Sequence, residues 1–176
     1  FRVADDHPAY GPLLDVLEWA GNHGVLRTLV LSSDAVFRSS EPGPIMEAEP
    51  TSPLGLYAVT KTAAENVCET LREHYQRDVI AVRLGNIYGP EEISRQTRPR
   101  VSLVQRMVDQ SLQQGVLEVH RQSPAQDWTY APAVGMALLA LLAAPALQHH
   151  LYNVASEQLF TALDIAHAIQ ILVPEV

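Results

Sequence analysis

Two short runs of mostly apolar residues, Val25–Leu31 and Val79–Leu84, flank a stretch with helical periodicity. A strand that is apolar along nearly its whole length has both faces buried, and parallel sheets supply such strands. Between the runs, Ala64, Val67, Cys68, Leu71 and Tyr75 recur at the spacing of one helix face, over about Leu56 to Tyr75. Strand, helix, strand in this order is a parallel crossover unit. The chain is therefore constrained to an α/β fold. Around this unit, Pro12 opens a helix with Leu13, Leu14, Leu17, Ala20 and Gly21 on one face, and Gly24 ends it. Val101–Gln114 reads as a helix stopped by Gly115, and Val116–Val119 as a short strand. Val134–Ala144 is alanine-rich and apolar, which predicts a helix buried against a sheet. Leu151–Val154 reads as a strand, and Thr161 caps a last helix carrying Leu163, Ile165, Ala166, Ile169 and Leu172. Residues 38–56 and 91–100 read as polar loops.

Composition narrows the class. The chain has 176 residues, is 47% hydrophobic and carries a formal net charge of −8. It can bury a sizeable core, and it lacks the basic face a nucleic-acid binder needs. Cys68 is the one cysteine, so neither an internal disulfide nor a cysteine-based zinc site is expected. No apolar run approaches a membrane span, and Phe1–Asp6 does not read as a signal peptide. The expectation is a cytoplasmic protein with no membrane partner.

The candidate chemistry lies where strands end. In open α/β sheets, ligands bind beyond the carboxyl ends of the strands. Ser33 sits at such an end, although a serine there also makes an ordinary turn or N-cap. Tyr57 and Lys61 are four residues apart, so on a helix they share one face. Of 12 lysines and arginines, Lys61 is the only lysine. An ammonium near a phenol favours the phenolate, and an activated tyrosine moves protons to or from an alcohol or carbonyl oxygen. The same spacing alone also describes a packed tyrosine beside a solvated lysine. Asn86 leaves the second strand on the same rim. Arg95, Arg98, Arg100 and Arg106 form a basic cluster, read either as anion-binding forks or as a solvated loop. Cys68 lies on the apolar stripe and reads as core, and His149-His150 has no carboxylate at ligand spacing, so no metal is expected.

Six blocks in order carry a resemblance: Leu31–Phe37, Pro53–Lys61, Ala64-Glu65, Arg83–Pro90, Asp127–Tyr130 and Leu151–Val154. On these the chain resembles the extended short-chain dehydrogenase/reductases of the NAD-dependent epimerase/dehydratase family, which act largely on nucleotide sugars. The resemblance implies a Rossmann-like parallel sheet with a smaller, interleaved substrate-binding part. It places residues 1–89 and 127–144 in the cofactor-binding domain and 90–126 and 145–176 in the substrate part. It implies Tyr57 as general acid/base, Lys61 as the lysine that binds the nicotinamide ribose, and Ser33 as the group that hydrogen-bonds the reacting oxygen. It implies that Leu84, Gly85, Asn86 and Ile87 line the cofactor, which is NAD or NADP. Ser33, Asp34, Asn86, Arg95, Arg98, Arg100, Arg121 and Gln126 are the expected substrate contacts. A homodimer is a further possibility of the resemblance.

The departures shape the functional expectation. The family's Gly-x-x-Gly-x-x-Gly phosphate loop has no counterpart here, so the chain is expected to enter the fold near its fourth helix, without the first half of the cofactor domain. Dehydratases of the family usually carry Thr-Asp-Glu where this chain has Ser33-Asp34-Ala35, which argues against dehydratase chemistry. Gln126 stands where an arginine often binds the substrate's phosphate, and this tilts the expectation toward a smaller substrate such as a sugar acid. The function expected is NAD(P)-dependent redox chemistry, as epimerase or reductase, at a carbinol or carbonyl carbon of a sugar, nucleotide sugar or sugar acid. The alternative is a non-catalytic, nucleotide-binding relative with a regulatory or scaffold role.

Overall fold

The computed structural model describes residues 11–37, 44–96, 100–119 and 123–174. In chain order the elements are α1 (Gly11–Asn22), β1 (Thr28–Ser33), a 3-10 turn (Asp34–Val36), α2 (Gly55–Tyr75), β2 (Val79–Leu84), β3 (Asn86–Tyr88), α3 (Leu103–Gln114), β4 (Gln126–Tyr130), α4 (Ala131–Ala143), β5 (Leu151–Val154), β6 (Leu159–Phe160) and α5 (Ala162–Leu172). They form two units, one ending at Leu84 and rejoined by Ala137–Val154, the other comprising Gly85–Met136 and Ala155–Val176. The stretch 145–154, expected with the substrate part, thus falls with the first unit, because β5 pairs with β2.

The first unit is a parallel sheet in the order β1-β2-β5. Thr28 pairs with Val79 and the register runs through to Ser33 opposite Leu84. β2 is buried at all six positions, as its apolar run requires of a central parallel strand. Side chains alternate across the sheet, so Val79 and Ala81 face one side. There they meet Leu17 of α1 and Cys68 and Leu71 of α2, with Leu13, Val30, Val67 and Leu151 packed around them. Val67, Cys68 and Leu71 of the helical stripe read from the sequence form this packing face, while Tyr75 at its end is exposed.

Helix ends explain the one strand whose bounds differ from expectation. The chain leaves α1 through Gly24 at φ 72°, a left-handed conformation that glycine adopts without a Cβ clash. Val25 N–H still bonds the Ala20 carbonyl at 3.0 Å, so it closes the helix rather than starting a strand. β1 consequently begins at Thr28 and reaches Ser33. Arg27, just before it, donates from Nε to Asp78 Oδ2 at 2.7 Å and from Nη1 to the carbonyls of Leu141 and Ala144, each at 2.6 Å. These carbonyls end α4 and lack helical donors, so the guanidinium caps them. Arg72 joins the same carboxylate through Nη1 at 2.8 Å and bonds the Leu147 carbonyl through Nη2.

α4 departs from its expected burial. Only Val134 is buried, while Met136 and Leu139 are 68% and 66% exposed. Val134, Leu138 and Leu141, one helical stripe, are its covered side. An alanine-rich helix without periodicity does not reveal in sequence how little of it is covered. No helix among the described residues is long and apolar enough to cross a membrane.

In the second unit β3 pairs parallel with β4, and β6 antiparallel with β4. α3 and α5 pack through Met107, Ala166 and Ile169. Ser102 caps α3, and Thr161 and Asp164 form a reciprocal capping box on α5. Gly89 is needed for close approach, since a Cβ there would lie 2.9 Å from Ala131 Cβ. The strand expected at 116–119 does not form. Leu117 and Val119 instead pack against the α3–α5 core, which satisfies them without a ladder.

The Arg27 cap generates a stability prediction. Arg27→Met removes charge-assisted bonds to Asp78 and to the α4 terminus, and should lower unfolding free energy by about 2–3 kcal/mol. Urea denaturation followed by circular dichroism measures it. A loss under about 0.5 kcal/mol, the range of ordinary surface substitutions, would mean that the α4 terminus needs no cap.

Candidate active site

α2 brings Tyr57, Lys61 and Glu65 onto one stripe, at i, i+4 and i+8, and that stripe faces β1. Lys61 Nζ donates to the Leu31 carbonyl at 2.7 Å, and it lies 5.6 Å from the centre of the Tyr57 ring. Tyr57 is 59% exposed. The structure therefore puts the phenol beside the ammonium on an open surface, and the ammonium is held on the carbonyl two residues before Ser33.

Ser33 ends β1 in extended conformation and caps the Asp34–Val36 turn. Its Oγ accepts from Ala35 N–H at 3.2 Å and donates to Asp34 Oδ1 at 3.1 Å. The hydroxyl is thus a cap at the carboxyl edge of the sheet, which is the ordinary reading of a serine at that place. A substrate oxygen would compete with Asp34 for its proton.

Behind this surface lies a network that sequence reasoning missed. Glu65 Oε1 accepts from Ser32 Oγ at 2.5 Å and from Arg83 Nε at 2.9 Å, and Oε2 accepts from Arg83 Nη2 at 2.8 Å. Arg83 Nη1 donates to the Glu47 carbonyl at 3.2 Å, and its guanidinium covers the Phe37 ring at 4.6 Å. Arg83 is 5% and Glu65 7% exposed. The signal was present: an arginine inside a buried, apolar strand needs a carboxylate.

Cys68, one turn beyond Glu65, is fully buried. Burial, and secondarily the Glu65 charge, pushes its thiol up to about 12. A thiol that stays protonated is no nucleophile.

The remaining expected site residues lie in or beside the second unit. Leu84 is the last residue of β2. Gly85 follows it, Asn86 opens β3, and Ile87 pairs with Thr129. Asn86 Nδ2 donates to the Asp127 carbonyl at 3.2 Å, so its amide ties β3 to β4. Asp127 in turn accepts from Thr129 Oγ1 at 2.6 Å and from Ser156 through both N–H and Oγ, at 3.1 and 2.8 Å. Gln126 is exposed at the start of β4 and lines a cleft of about 480 Å³ with Arg106, Gln110, Glu118 and Trp128. Arg106, grouped with the arginine cluster and lying in the helix expected over 101–114, rides on α3 and lines this cleft. Arg95 and Arg100 are exposed, while Arg98 and Arg121 lie outside the described residues. His149 packs edge-on against Tyr152, whereas His150 Nε2 lies 3.7 Å from Glu69, so the two histidines do not share a site.

Residues 12–155 match the model of the NAD dependent epimerase/dehydratase family. The chain belongs to that family. Among curated relatives it is 32% identical over 83 residues to the dTDP-D-glucose 4,6-dehydratase of Mus musculus, covering 47% of this chain and 23% of that protein. It is 25% identical over 166 residues to the GDP-L-fucose synthase of Sinorhizobium fredii, covering 88% of this chain and 52% of that one. A solved NAD-dependent NDP-hexosamine 5,6-dehydratase, TunA, superposes with a TM-score of 0.76 at 26% identity, over 98% of this chain and 59% of its own. The chain spans well under two thirds of the relatives it matches. The family's fold explains why β1, β2 and β5 are parallel, with α2 crossing between the first two.

The environment of Cys68 gives a prediction. At pH 8 its reaction with a disulfide reagent should be roughly 10³-fold slower in the native protein than in urea, from thiolate fraction alone. One rapidly titrating thiol per native chain would contradict the burial described.

Proposed function

We propose that the protein carrying this chain is an NAD-dependent oxidoreductase or epimerase acting at a carbinol or carbonyl carbon of a nucleotide sugar. One observation carries the reading. Tyr57 stands exposed beside Lys61, whose ammonium is held on the β1 backbone just before Ser33. Family membership and relatives that act on dTDP- and GDP-sugars support it.

The residues fit the ribose and nicotinamide end of such a cofactor. Lys61 has three donors and spends one on the Leu31 carbonyl, leaving donors for ribose hydroxyls. Tyr57, Lys61 and the end of β2 at Leu84, all in the first unit, would hold that end, and the nicotinamide supplies hydride transfer when bound. Tyr57 Oη takes the proton from a substrate hydroxyl, or returns one to a carbonyl oxygen. Ser33 Oγ turns from Asp34 to donate to the same substrate oxygen and fixes its position. Asp34 then takes part in substrate contact. Ala35 cannot supply the second carboxyl expected of a dehydratase, so epimerisation or reduction is the reading that fits these residues.

Within the second unit, the cleft is proposed as an anion site, with Arg106 its cation and Gln126 a neutral donor. Gln126 favours one further reading, a sugar acid with a single negative charge. Two measurements decide among these. Tyr57→Phe in the whole protein should lower turnover by roughly 10²–10⁴ while leaving cofactor affinity nearly unchanged; wild-type turnover would remove Tyr57 from the chemistry. Titration of cofactor-loaded protein with UDP, dTDP and GDP should show saturable binding that Arg106→Met weakens by more than tenfold, the usual worth of a charge-assisted bond. Binding of aldonates or uronates alone would transfer the proposal to sugar acids.

A further inference from the structure

α2 is 21 residues long, but its two ends are held differently. The C-terminal half carries Val67, Cys68 and Leu71 into the sheet core. Among residues 55–62 only Ala58 is buried; Leu56 is 80% and Val59 45% exposed. Leu54 provides no side-chain cap. The end that bears Tyr57 therefore has little apolar packing to fix it. What fixes it is polar. Lys61 bonds the Leu31 carbonyl, and one turn later Glu65 accepts from Ser32 Oγ. These anchors are consecutive residues of β1, and the next residue is Ser33.

We propose that Glu65, backed by Arg83, is a positioning residue that sets Tyr57 and Lys61 against Ser33. The inference rests on the reading that these three residues carry the chemistry. Ser32 and Ser33 point to opposite faces of β1. Ser32 holds the helix, while Ser33 turns to its own cap at the strand end. Arg83 is the Cα partner of Ser32 in the sheet register, so the guanidinium reaches Glu65 from the neighbouring strand. Two N–H bonds in a fixed fork define the carboxylate's plane, and the plane fixes where Ser32 Oγ must sit. Arg83 also bonds the Glu47 carbonyl, while Glu47 Oε1 accepts from Asn153 N–H at 2.8 Å and Asn153 Nδ2 donates to the Ile45 carbonyl. The carboxylate is thus braced by β2, β5 and the 44–49 loop together. Reaction geometry is sensitive at this scale, since a displacement of about 1 Å costs on the order of 10²-fold in rate.

The test uses the whole protein with Ser32→Ala, Ser32→Thr and Glu65→Gln, read by hydrogen exchange and by turnover. Ser32→Ala leaves the ion pair in place and removes only the tie to β1. It should speed exchange in residues 55–63 without changing 66–75. It should also lower kcat about tenfold or more with KM and the thermal midpoint nearly unchanged. Ser32→Thr restores the hydroxyl on a strand that suits a β-branched residue, and should restore both readouts. Glu65→Gln should behave as Ser32→Ala or worse; if it does not fold, the serine variants decide. Unchanged exchange in residues 55–63 for Ser32→Ala overturns the proposal, as does loss of thermal stability with wild-type kcat. If the wild-type protein turns over no substrate, the functional reading fails, and the exchange pattern still decides whether Glu65 positions α2.

Discussion

Strand β2 carries the constraint on which the first unit depends. All six of its residues are buried, so every polar group brought in with it needs a partner inside the fold. Five are aliphatic and raise no difficulty. The sixth, Arg83, introduces a charge whose desolvation is compensated only by well-placed hydrogen bonds. Glu65 supplies the charge, while Glu47 and Phe37 occupy the remaining edge and face of the guanidinium. An apolar residue would fill the same space at less cost. What the arginine adds is direction: a planar fork accepts a carboxylate in one orientation, and that orientation fixes a helix against a strand.

The same logic operates at the other end of the sheet with a different outcome. Arg27, Arg72 and Asp78 gather where α4 ends and β2 begins. There the guanidinium groups bond main-chain carbonyls and hold helix to sheet. Side chains of the same types thus tie a helix terminus to the sheet at one end of the unit and a helix face to β1 at the other.

The sequence made some of this legible and hid the rest for identifiable reasons. The apolar runs at 25–31 and 79–84, and the stripe Ala64 to Tyr75 between them, disclosed the parallel crossover because burial on both faces leaves no polar alternation. Tyr57 and Lys61 were visible because helical spacing alone places them together. The start of β1 was misread by three residues because Val25 is apolar in a helix-closing turn as it would be in a strand. Val116–Val119 was misread because an apolar run signals burial and does not say against what. The exposure of α4 was hidden because its alanines and leucines lack sidedness. Glu65 and Arg83 were quoted as motif residues without a role, since their meeting depends on the register Ser32 to Arg83, which is a three-dimensional fact.

The second unit is braced by a comparable device, and this bears on how its cleft is built. Asp127 holds β4 by accepting from Thr129 on its own strand and from Ser156 in the turn before β6, while Asn86 bonds its carbonyl from β3. None of these bonds involves the side chain of residue 126. These backbone ties therefore do not depend on the side chain at position 126. With Gln126 neutral and Glu118 acidic, Arg106 is the cation among the described lining residues. It comes from α3 rather than from β4, where Gln126 stands. The positive charge of the cleft thus rests on one residue among the described lining, while within the first unit the proposed placement of Tyr57, Lys61 and Ser33 rests on Glu65 and Arg83.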